Sequence, residues 1–175
     1  MTTIEFYEPL DKIARDEKKG LILENESRIV SFELDTLQAS VERLMRISGE
    51  RVSEVLLLQM GNEIGKVSFQ HWRDEVKSDS DAGRVFDRLM RLRGWGRCLN
   101  LEKQDRDEGK TVYVFNTADC PACFDRKTSK PVCDLMRGIA SGWLEGYLGR
   151  KPSEVAETAC AAVRGQLCVF ELTID

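Results

Sequence analysis

Glycine recurs at every fourth position of one largely apolar stretch, as Gly138, Gly142 and Gly146 in PVCDLMRGIASGWLEGYLG. Coiled as a helix, that stretch carries a ridge without side chains on one face. An interior glycine costs about 1 kcal/mol relative to alanine in a helix. A helix that keeps three of them is therefore expected to pack tightly on the sheet or on another helix. Small-residue ridges also join helices in membranes, but Asp134, Arg137 and Glu145 exclude a bilayer here. Gly61 and Gly65 sit one turn apart in a second helical stretch and ask for the same close approach, by a neighbour or a ligand.

The remainder of the chain is consistent with one packed domain preceded by an arm. A chain of 175 residues can bury roughly 70% of its unfolded surface, so its core needs no covalent staples. A formal charge of -4 does not suit a nucleic-acid binder, and no helix-turn-helix is evident. No apolar run reaches the length of a membrane span. The opening MTTIEFYEPLDKIARDEKKG lacks the apolar core of a signal peptide. The expected location is the cytoplasm, where six cysteines read as metal ligands, redox groups or small buried hydrophobes rather than structural disulfides.

Residues 1–18 read as a polar arm and 19–175 as a single domain. Two short strands are predicted at Leu21–Leu23 and Arg28–Phe32. Leu37, Val41, Leu44 and Ile47 recur at helical spacing up to Gly49. A longer helix is predicted from about Val52 to about Lys77, with Val52, Leu56, Met60, Ile64 and Val67 as its apolar stripe. SDSDAG is a capping break, and Val85, Phe86, Leu89 and Leu92 mark a helix ending at Gly94. The period then changes to that of strands around Trp95–Leu101 and TVYVF. NTADCPACFDRKTSKP is a loop, the glycine-ridged helix follows, and a hairpin turning at Arg164-Gly165 closes the chain. The sum is a mixed α+β domain with helices between antiparallel hairpins.

The closing EVAETACAAVRGQLCVFELTI places Glu157, Cys160 and Cys168 around that turn, and Cys133 stands at the start of the ridged helix. Three thiolates and a carboxylate suit zinc, which takes four ligands tetrahedrally. Glu157 and Cys160 are three residues apart, so a regular strand would point them to opposite faces. A shared site therefore requires a bulge or bend near Thr158-Ala159. The alternative is that these cysteines are plain core.

Pro131-Val132-Cys133, Gly138, Gly142, Leu144-Glu145-Gly146, Glu157-x-x-Cys160 and Cys168-x-Phe170 together resemble the 4-vinyl reductase, or hydrocarbon-binding, domain family. Its members are similar to the sensory domains of phenol-responsive transcription activators. Met60-Gly61-Asn62-Glu63-Ile64-Gly65 and Gly94-Trp95-Gly96-Arg97 extend the resemblance upstream. It implies a fold of the nitric-oxide-signalling and Golgi-transport-particle type, with a small-molecule pocket between helices and an antiparallel sheet. It also implies a structural zinc held by Cys133, Glu157, Cys160 and Cys168, a small apolar or aromatic ligand and a homodimer. A regulatory role would then need a protein partner.

Four protein ligands leave no open position for water, so such a zinc is structural rather than catalytic. There is no nucleotide-binding glycine fingerprint, no nucleophile-base pair, and a single histidine, His71. The expectation is a binding domain rather than an enzyme. His71, Trp72, Phe86, Trp95, Phe115, Trp143 and Tyr147 are the candidates for a pocket wall, each with a plain core role as its alternative. Cys120-Pro121-Ala122-Cys123 has three readings: a reversible disulfide, metal ligands together with Cys133, or a surface loop with incidental cysteines. Cys98 reads as core. Two rivals follow, a redox sensor using Cys120 and Cys123, and a structural subunit with the fold but no pocket.

Overall fold

The computed structural model describes residues 13–16, 21–24, 27–30, 33–106 and 109–175. The chain divides into two compact units, Met1–Leu37 and Gln38–Asp175. Strands β1 (Ile13–Asp16), β2 (Leu21–Glu24) and β3 (Ser27–Ile29) of the first form a three-stranded antiparallel sheet in that order. Apart from Ile13–Asp16, the expected polar arm lies outside the described residues. So do Asn25 and Glu26 of the expected turn, and Ser31 and Phe32 of the expected second strand.

Helix α1 (Leu34–Ser48) ends where Gly49 turns the backbone to φ 78°. Helix α2 (Glu50–Trp72) stops five residues before the predicted limit and tightens into a 3-10 turn at Arg73–Glu75. Helix α3 (Asp79–Leu92) begins with the capping expected of SDSDAG. The Ser78 hydroxyl accepts from the Asp81 N–H at 3.1 Å, and the Asp81 carboxylate accepts from the Lys77 N–H at 3.3 Å. The cap satisfies an orphan donor of the first turn, and the carboxylate fixes the chain entering it.

Strands β4 (Arg97–Asp105) and β5 (Thr111–Ala118) lead to helix α4 (Asp134–Leu148), and β6 (Glu154–Ala159), the short helix α5 (Ala161–Arg164) and β7 (Cys168–Ile174) complete the chain. The four strands form one antiparallel sheet in the order β4-β5-β7-β6. Cys168, Phe170, Leu172 and Ile174 alternate inward along β7. The architecture is the α+β one expected from the sequence, helices with an antiparallel sheet. No helix among the described residues is long and apolar enough to cross a membrane.

The glycine ridge of α4 packs on α2, where it meets Gly61 and Gly65. A Cβ on Gly61 would collide with the Leu135 carbonyl, and one on Gly65 with the Ile139 carbonyl. Conversely, a Cβ on Gly138 would strike the Leu58 carbonyl and one on Gly142 the Asn62 carbonyl. Only glycine lets the two backbones come this close. Asn62 is buried in the seam, its amide donating to Ser141 Oγ at 3.3 Å and to Glu145 Oε2 at 3.2 Å. Lys66 Nζ lies 3.0 Å from the same Glu145 carboxylate.

This packing overturns the expected inward face of α2. The residues it buries are Ser53, Leu57, Gly61, Asn62, Gly65, Ser68 and Trp72, whereas Val52, Leu56, Met60 and Val67 are exposed. Van der Waals contact between backbones selects the small-residue face, and the larger apolar stripe is turned away from α4.

Candidate metal centre

Five of the six cysteines converge where α4, the β6–α5–β7 connection and the loop after β5 meet. Cys133 is the N-cap residue of α4, Cys160 that of α5, and Cys168 is the first residue of β7. The β6–β7 register shifts between Glu157 and Ala159, which is the irregularity the Glu157–Cys160 spacing requires. It allows Glu157 to share a site with Cys133, Cys160 and Cys168, all four ligand atoms lying within 4.8 Å of one another. Glu157 Oε2 accepts from the Cys133 N–H at 3.1 Å.

Cys120 and Cys123 belong to the same cluster. A tight turn closes CPAC through the Cys123 N–H to the Cys120 carbonyl at 3.0 Å. Asp119 and Asp125 flank it with φ of 55° and 50°, a left-handed conformation that Asp tolerates better than most residues. The loop is fastened by Gln38 of α1, whose amide donates to the Pro121 carbonyl at 3.0 Å, and by Thr128, whose N–H donates to the Ala162 carbonyl at 2.9 Å. Cys120 is buried here and Cys123 half-buried. Their sulfurs lie 3.5 and 3.2 Å from Cys133 Sγ. An incidental surface loop does not describe this arrangement.

Zinc–sulfur bonds of about 2.3 Å in a tetrahedron place sulfurs about 3.8 Å apart. Cys133 Sγ lies 3.9 Å from Cys160 Sγ and 3.6 Å from Cys168 Sγ. The spacing and the donor chemistry both fit a single ion. Negative charge on the cluster is met by backbone amides. The Ala161 N–H points at Cys168 Sγ from 3.4 Å, and the amide of Ala162 bonds Cys123 and Cys160. Burial pushes the Cys160 thiol up to about 12, with the neighbouring Glu157 carboxylate adding to it. Burial also raises the Glu157 carboxyl. Thiols of Cys120, Cys133 and Cys168 bond to Cys123 and hold its pKa well below the usual thiol range, so Cys123 is the favoured thiolate of the metal-free cluster. Cys98 stands apart and buried in β4, its thiol pushed up to about 12 by burial and by Asp87.

The aromatic candidates divide. Trp72, Phe86, Phe115 and Trp143 are buried. Phe86 packs edge-on against Phe115 at 5.2 Å between ring centres, and Trp143 lies 5.4 Å from Phe86. Trp143 Nε1 donates to the Ala82 carbonyl at 3.1 Å, so the polar edge of the indole is satisfied. Tyr147 joins through Phe69, 6.2 Å away, and Phe69 in turn meets Trp143 at 5.3 Å. Phe69 is not marked out by the sequence reading; its place on the face of α2 opposite Gly146 is the signal that could have found it. Trp95 is half-buried in the turn before β4, and His71 is exposed near the end of α2.

Residues 113–174 match the family model of the 4-vinyl reductase domain. The matched segment agrees with the resemblance read from the sequence. It contains Cys120, Cys123, Cys133, Glu157, Cys160 and Cys168, and so the whole of the cluster. The fold is similar to that of the phenol-responsive sensory domain of the transcription activator PoxR, solved with phenol, at 18% identity and a TM-score of 0.78 over 93% of this chain and 85% of that one. A vinyl-4-reductase family protein from Methanocaldococcus jannaschii aligns at 18% identity and a TM-score of 0.55, over 84% of this chain and 85% of that one. An H-NOX protein from S. oneidensis aligns at 10% identity and a TM-score of 0.46, over 82% and 76%. No curated protein sequence matches the chain.

Proposed function

We propose that the protein is a cytoplasmic sensory domain that binds a small apolar or aromatic molecule, braced by a structural zinc. The observation that carries this reading is the cysteine-carboxylate cluster at the head of α4. The same helix supplies Trp143 to the aromatic core, so one element joins the metal centre to the residues that would meet a ligand. The likeness to a phenol-responsive domain supports the ligand class.

Cys133, Cys160 and Cys168 are the core of the ligand set, and the resemblance supplies Glu157 as the fourth. Bound there, zinc would act as a cross-link between the start of α4 and the β6–β7 hairpin, without an open position for chemistry. Signalling would pass to a protein partner. A homodimer is part of this reading, and the exposed stripe of Val52, Leu56, Met60 and Val67 supports it.

The test is thermal melting of the purified protein with and without phenol and larger alkylphenols, with metal content measured alongside. A ligand at a hundred times its Kd raises stability by about 2.7 kcal/mol, which is a readily measured rise in Tm. Failure of every phenol and apolar compound to move Tm would refute the ligand reading, and absence of bound metal after purification in zinc-containing buffer would refute the brace. A second reading, a thiol redox sensor, is favoured by the contact of Cys123 with Cys133. It predicts loss of two titratable thiols on mild oxidation.

A further inference from the structure

We propose that Cys123, carried on the CPAC loop, is the fourth ligand of the metal, in the position that the family resemblance gives to Glu157. The proposal rests on the metal reading above and amends it.

Cys123 Sγ lies 3.2 Å from Cys133 Sγ, 3.6 Å from Cys160 Sγ and 3.5 Å from Cys168 Sγ. Cys133 is 3.9 Å from Cys160 and 3.6 Å from Cys168, and Cys160 and Cys168 are within 4.8 Å of each other. These four sulfurs therefore stand at the corners of a compact tetrahedron, close to the edge of about 3.8 Å that zinc–thiolate bonds demand. The spacing suits one ion. The all-sulfur set with Cys120 in place of Cys160 also contains Cys123, Cys133 and Cys168. Cys123 is thus common to both all-sulfur arrangements.

The competitor is Glu157, whose Oε1 is buried without a hydrogen-bond partner among the described residues. Its Oε2 is already engaged by the Cys133 N–H. Thiolate is the softer donor and the one that selects zinc over the hard cations. Cys123 also has an amide, that of Ala162, to share its charge. Binding releases the thiol protons to solvent, as metal ligation by cysteine does in general.

Cys160 and Cys168 are fixed by the hairpin and Cys133 by α4, whereas Cys123 is the half-buried ligand on a loop. Ligation would fasten that loop at one point, and Gln38 bonds the same loop at Pro121 and Phe124. Metal occupancy would therefore be felt at α1.

Cobalt(II) is the probe, added to the full chain after metal removal. In the wild type, sulfur-to-cobalt charge-transfer absorption of an all-thiolate site is expected. Cys123→Ser should lower it by about a quarter, as four metal–sulfur bonds become three, and should weaken binding. Glu157→Gln and Cys120→Ser should leave the spectrum in place. An unchanged spectrum in Cys123→Ser, with a changed one in Glu157→Gln, would overturn the proposal while leaving the metal reading intact. Uptake of neither cobalt nor zinc by the wild type would instead remove the metal reading itself. Cadmium NMR of the unmutated protein is an independent measurement if a variant fails to fold. A resonance in the all-thiolate range supports Cys123, and one in the range of three thiolates and an oxygen refutes it.

Discussion

Cys98 and Cys123 show how two thiols of one chain are given opposite chemistry by their neighbours. Cys98 donates to the Asn100 carbonyl at 3.4 Å inside a closed sheet, near the Asp87 carboxylate, and its pKa is pushed up to about 12. Thiolate is the reactive form, so this thiol is inert at neutral pH. Cys123 is half-buried, where the other cysteines are buried, and is surrounded by sulfurs that stabilise its anion. Alkylation of the native, metal-free protein at pH 7 is expected to label Cys123 first and Cys98 last. Peptide mass mapping over a time course checks the order, and early labelling of Cys98 would contradict it. Added zinc should protect Cys123.

Between elements, the α2–α4 seam sets the tolerance of each glycine. At Gly142 the obstacle to a methyl is the Asn62 backbone, which cannot yield without moving α2. At Gly146 it is the Phe69 side chain, with its nearest atom 2.8 Å from the added Cβ. A ring can turn aside, and alanine also recovers about 1 kcal/mol of helix propensity. Gly142→Ala should cost roughly 3 kcal/mol or more, in the upper range of overpacking, and Gly146→Ala about 1 kcal/mol or less. Urea unfolding of the two variants measures the difference, and equal losses would show that the seam is looser than its geometry.

The same seam explains what was legible in the sequence. The ridge Gly138-Gly142-Gly146 announced close packing, because its cost in a helix demands a return. Its partner, Gly61 and Gly65, was equally visible, but nothing local pairs two ridges so far apart in the chain. The stripe of Val52, Leu56, Met60 and Val67 pointed the wrong way, since helical periodicity marks an apolar face without saying what covers it. The Thr158-Ala159 irregularity was legible because covalent spacing alone required it if Glu157 and Cys160 were to meet. The approach of the CPAC loop to Cys133 was one reading among three. Loop closure depends on contacts such as Gln38 with Pro121, which no pattern in the sequence encodes.

For the whole molecule, the exposed stripe of α2 is the feature that bears on assembly. Met60 and Leu56 are each 48% exposed, so a charge at either disturbs little inside the protomer. If two copies meet through this face, Met60→Glu should convert a dimer to a monomer while leaving Tm of the protomer nearly unchanged. Sedimentation velocity at several concentrations decides it, and a wild type that is monomeric throughout would refute the pairing.

The contact between α2 and α4 is also a mechanical coupling. Sliding either helix along the other would drive Gly142 over the Asn62 carbonyl, so the pair behaves as a single stiff girder. Cys133 is fixed to one end of that girder, and Trp143 lies further along the same helix. Strain applied at Trp143 is therefore transmitted to the cysteine cluster almost undamped. The parts free to yield are those joined to it through side chains, such as α3 through Trp143 and Ala82, and the loop that carries Cys123.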